Sequence, residues 1–154
     1  MARKKKVEPV TFRIYPDGKW FYAVVNIWPT KKAMQDYKQC GRGYTAICTG
    51  MEGIRNGRKT GQFCEINFHR GGIAIGVVSH EMGHAAFNWA GRRRISMSQV
   101  MDANVHAFQQ IWQNPNEGKH KVQPNHNSEE RVVWVLGEMV RRFCNKAYDL
   151  GLYK

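Results

Sequence analysis

The stretch 61-GQFCEINFHRGGIAIGVVSHEMGHAAFNWAG-91 carries two hydrophobic periods in succession. In its first third Cys64, Ile66 and Phe68 alternate with Glu65, Asn67 and His69, the two-residue period of a half-exposed strand. Beyond Gly71 and Gly72 the spacing turns helical, and residues 73–90 are expected to form a long helix. A strand feeding a helix at mid-chain divides the molecule into a strand-rich front and a helical back. That order points to an α+β fold, with an N-terminal antiparallel or mixed sheet followed by this helix and two more.

Working toward the N-terminus, "VTFRIYPDGKWFYAVVNIW" reads as a hairpin turned at Pro16-Asp17-Gly18. Its second strand has apolar residues in both phases, so both of its faces can be covered. "TKKAMQDYKQ" is a short helix capped by Thr30, with Ala33, Met34 and Tyr37 inward. "GRGYTAICTG" supplies another strand bounded by glycines. Toward the C-terminus, "SMSQVMDANVHAFQQIWQ" is a second amphipathic helix and "NPNEGKHKVQPNHN" a loop. "SEERVVWVLGEMVRRFCNKAYDLG" is a third helix, begun by Ser128 and stopped near Gly151. Residues 1–9 form a basic tail and 10–154 a single domain.

A chain of 154 residues with 42% apolar content, five Trp, six Tyr and seven Phe can bury a real core. It contains no apolar run of membrane-spanning length, and the basic N-terminus lacks the hydrophobic stretch of a secretory signal. Cys40, Cys48, Cys64 and Cys144 include no C-x-x-C pair, which excludes a zinc ribbon or a thioredoxin-type motif. They read as thiols of a cytosolic protein. The net charge of +12, with basic runs at 2–6, 91–94, 119–121 and 141–142, favours nucleic acid or acidic protein as partner. A merely solubilising surface has the same composition.

His80-Glu81-Met82-Gly83-His84 is H-E-x-x-H within the expected helix. Residues four apart stand on one helix face, so both imidazoles can reach one ion, with zinc the natural choice. Glu81 then lies beside the ion and can take a proton from an activated water. Phe87 and Ala90 occupy positions where metzincins have glycine and a third histidine, which excludes that class. Glu129 and Glu130, opening the third helix, are candidate third ligands. Apolar periodicity aligns Glu129 with Val132, Val133, Leu136 and Val140, and puts Glu130 at the stripe's edge above Gly137. Glu138 projects from the opposite side.

These residues resemble the compact gluzincin-type zinc metallopeptidases, among them small phage-encoded ones with a helix of the form E-E-x-x-x-Y-x-x-G. Here "EERVVWVLG" stands in that place, with Trp134 for the aromatic and Val133 for a smaller residue. The resemblance covers residues 63–143, about half the chain. It implies a minimal zincin-like fold, a peptide or protein substrate, Zn2+ held by His80, His84 and Glu130 (Glu129 as runner-up), and Glu81 as general base. It further implies that the strand over 62–69 lies along the cleft and pairs with an extended substrate. No aspartate follows Glu130 to orient a histidine, so Asp102 or the main chain must do so. His106, His120 and His126 are candidates for stabilising an oxyanion, with His126 nearest in sequence to the ligand helix. The competing reading is a basic nucleic-acid-associated protein with a structural or vestigial zinc site. SprT-like proteases combine both features, but their third-ligand histidine and zinc ribbon are not seen here.

Overall fold

The hairpin at Pro16-Asp17-Gly18 joins β1 (Val10–Ile14) to β2 (Tyr22–Trp28), with Phe12 opposite Val25 in the antiparallel register. The computed structural model describes residues 7–18, 20–95 and 128–152, the first three of the last span as backbone alone. The expected helix over 96–113, with Asp102 and His106, lies outside the described residues, as do His120 and His126. After β2 come α1 (Lys31–Lys38), β3 (Ala46–Gly50), the two-residue strands β4 (Ile54–Arg55) and β5 (Arg58–Lys59), and β6 (Gln62–His69). A 3-10 turn at Arg70–Gly72 leads into α2 (Ile75–Arg92), and α3 (Ser128–Asp149) completes the described chain.

The sheet is mixed, in the order β1-β2-β6-β3, with β6 parallel to β2 and antiparallel to β3. β6 is therefore central. This corrects the expectation of a half-exposed strand free to pair with substrate: β6 is buried from Phe63 to Phe68, and its main chain is paired on both sides. The edge strand beside α2 is β3. Helices α2 and α3 cover the face bearing Phe12, Val25, Ile66 and Phe68; Phe143 of α3 stacks on Phe12 and Phe68 at 6.1 and 5.0 Å. Each large side chain fully buried there contributes about 1.5–3 kcal/mol relative to exposure.

The opposite face carries Glu65, Asn67 and Asn26 and is closed by α1 rather than by water. Asn67 Oδ1 accepts from Asn26 Nδ2 (3.2 Å) and from Trp28 Nε1 (3.0 Å), while Asn67 Nδ2 donates to Glu65 Oε1 at 2.8 Å. Lys38 Nζ and Tyr37 OH reach the Glu65 carboxylate from α1, and Thr11 Oγ1 donates to Asn26 Oδ1. Polar residues can be buried on this face because they satisfy one another. Thr30 caps α1 as expected, its hydroxyl accepting from the Ala33 N–H at 3.2 Å. Met34 is buried and Ala33 half-buried. Tyr37 is 51% exposed and packs tilted against Trp28, the ring centroids 4.7 Å apart, rather than inside.

The apolar stripe of α3 also differs from the expected one. Val132, Val135, Met139, Phe143 and Ala147 are buried, with Leu136 and Val140 partly so, whereas Val133 is 59% exposed. The Glu138 side chain is largely covered, clamped by Arg141 and Arg142 of the same helix. Gly83 and Gly137 have open space at the Cβ position among the described residues. Ala85 and Ala86 are the small residues that let α2 pack closely. No disulfide joins the cysteines, and no described helix is long and apolar enough to cross a membrane.

Candidate metal centre

α2 begins without a side-chain cap, directly after the 3-10 turn, and its direction is set by the apolar face it lays on the sheet. Val78, Met82, Ala85, Ala86 and Trp89 point into the core. One residue before Met82, Glu81 lies on the flank of that face and is only 6% exposed. His80 and His84 fall on the far side of the helix, where both are open to solvent.

The two imidazoles meet. His80 Nε2 and His84 Nε2 are 3.1 Å apart, with the rings nearly perpendicular and their centroids 4.7 Å apart. Two nitrogens bound tetrahedrally at about 2.0–2.1 Å from a zinc ion stand about 3.3–3.4 Å apart. The pair therefore fits a shared zinc ion with a small adjustment. Without a cation, the same contact is one Nε2–H donating to the other Nε2.

Glu81 is directed to the edge strand. The Cys48 main-chain N–H of β3 lies near enough to its carboxylate to favour the charged form. Burial pushes the Glu81 carboxyl above its ordinary value, opposed by the neighbouring His80 and His84 and by that N–H. Next along the helix, Asn88 Nδ2 donates to the His84 carbonyl at 2.9 Å, fixing one end of the histidine-bearing turn. Asn88 also packs where Gly50 has no side chain; a Cβ on Gly50 would overlap its amide oxygen, so this glycine lets α2 approach the edge strand.

The sequence thus brings His80, Glu81 and His84 into one constellation. Glu129 and Glu130 occupy the first turn of α3, and their side chains lie outside the described residues. Among the described residues no third His, Cys, Asp or Glu side chain joins the histidine pair. The contribution of β3 was not read from the sequence, although a glycine-bounded apolar strand ending at Gly50 is the signal that marks it. No family model, curated protein or solved structure matches the chain.

Proposed function

We propose that the chain is a zinc-dependent metallopeptidase of the H-E-x-x-H kind. The carrying observation is the convergence of His80 Nε2 and His84 Nε2 to 3.1 Å beside a buried Glu81 carboxylate. His80 and His84 are two of the ligands, and Glu130 is the proposed third, with Glu129 as its runner-up. Zinc held there supplies a Lewis acid that polarises a carbonyl and brings the pKa of a water to about 7.

The protein's own groups divide the remaining work. Glu81 receives the proton of the attacking water and delivers it to the leaving nitrogen. The nearby Cys48 N–H of β3 favours the charged form of that carboxylate, the form a general base needs. β3 offers the outer edge of the sheet beside the site, so an extended peptide would pair with β3. Asn88, by holding the His84 carbonyl, keeps the ligand turn regular.

Glu81→Gln tests this reading. Zinc content and thermal stability should stay near those of the parent, while hydrolysis of a mixed peptide library, read by mass spectrometry, should fall by about two to four orders of magnitude. Cleavage undiminished in this variant would remove the general-base assignment.

A further inference from the structure

Two of the four basic runs fall among the described residues, and both are engaged within the fold. Arg92 pairs with Glu52, Arg93 with Asp17, and Arg141 and Arg142 share Glu138. The cations left without a carboxylate partner among the described residues include Arg13, Arg55 and Arg58, and these three come together. They line one cleft of about 570 Å³ between the β1–β2 turn and the β4–β5 hairpin.

The cleft is built by backbone constraints. Asn56 and Gly57 both take positive φ (51° and 71°), the conformation of a tight hairpin turn, and so set Arg55 directly opposite Arg58. Like charges facing each other across two strands are destabilising unless something lies between or above them. At the other wall, Tyr22 N–H donates to the Gly61 carbonyl (3.0 Å), and a Cβ on Gly61 would overlap the Trp20 carbonyl oxygen. Gly61 therefore pins the end of the hairpin against the Trp20 segment. Arg92, donating to the Thr60 carbonyl and paired with Glu52, anchors the same hairpin to the end of α2.

Aromatic rings accompany the charges. Tyr15 and Tyr22 stack at 5.4 Å, Arg13 lies 4.5 Å above the Tyr22 ring, and Trp20 stands 65% exposed at the rim. Guanidinium forks suit phosphate, and the open indole face of Trp20 suits an unstacked base. Acidic protein would use the arginines but has no need of the rings. By strand alternation Arg13 and Tyr22 lie on the face of the sheet away from Phe12 and Phe143, and hence away from α2 and its histidines.

We infer that this cleft binds single-stranded nucleic acid, with Arg55 and Arg58 on the phosphates and Trp20 stacked on a base. The inference does not depend on the metallopeptidase reading. The experiment is fluorescence anisotropy of a fluorescein-labelled oligo-dT of about 15 nucleotides with the full chain, at about 50 and 200 mM salt. Binding should weaken with salt. The double variant Arg55→Ala/Arg58→Ala should bind at least about tenfold more weakly, and its log–log salt slope should shrink by about 1.4, at roughly 0.7 per phosphate contact. Trp20→Ala should lose about tenfold in affinity with the slope unchanged. All three residues are exposed, so circular dichroism of the variants should match the parent. Glu81→Gln and His84→Ala should bind oligo-dT as the parent does, which keeps this test separate from that of the metal centre. Three outcomes overturn the inference: no binding at the lower salt, parental affinity in the arginine or Trp20 variants, or competition by polyglutamate or duplex DNA equal to that by unlabelled oligo-dT.

Discussion

Asn67 has no exposed surface, and its amide joins Asn26, Trp28 and Glu65. Asn67→Ala would strand an indole N–H, an amide and a carboxylate in a face closed by α1, and should cost about 2–4 kcal/mol by urea denaturation. The same residue explains why the alternation in β6 misled. Glu65, Asn67 and His69 look like the wet side of a strand, and nothing in a linear pattern reveals that Lys38, Tyr37 and Trp28 are folded over them. The approach of His80 and His84 was legible for the opposite reason: a four-residue spacing within one helix is set by local geometry alone. At Glu138, hydrogen bonds from Arg141 and then Arg142 hold the carboxyl down at about 2, against an ordinary 4.5. Because the folded value is depressed, this stabilisation is complete above pH 4.5 and lost as pH falls from 4.5 toward 2. Glu138→Gln should therefore flatten the fall in melting temperature across that window and leave its shape near neutrality unchanged.

At the level of elements, α3 shows how far periodicity reaches. Val132 and Val133, like Val135 and Leu136, are adjacent apolar pairs, so two stripes about one residue's rotation apart fit the sequence equally well. The choice is made by contacts from distant strands: Phe12 of β1 and Phe68 of β6 receive Phe143, which turns Val135 and Met139 inward and leaves Val133 in water. Phe143→Ala should lower stability by about 3–5 kcal/mol, whereas Val133→Ala should change it by no more than about 0.5 kcal/mol, both measured as denaturant midpoints. Equal losses at the two positions would return the stripe to the phase first read from the sequence. The Thr30 cap, the Pro16-Asp17-Gly18 turn and the end of α3 near Gly151 were legible because each is a local rule with its own residue type. The hairpin β4–β5 carries a comparable signal in Asn56-Gly57, and its two-residue strands are too short for alternation to mark.

Across the whole molecule, the sheet separates two surfaces of different chemistry. On one side, α2 turns His80 and His84 outward while Glu81 reaches across to β3. On the other, Arg13 and Tyr22 face the hairpin that carries Arg55 and Arg58. The net charge of +12 indicated an anionic partner without locating its surface, because the obvious basic runs among the described residues are spent on Glu52, Asp17 and Glu138. The candidate metal centre remains the feature on which the functional reading stands, and its composition can be measured without knowing a substrate. Elemental mass spectrometry of the purified chain should find about one zinc per chain, lost in His84→Ala and in Glu130→Ala and retained in Glu81→Gln. A chain that carries no metal, and takes up none when zinc is added, would contradict it.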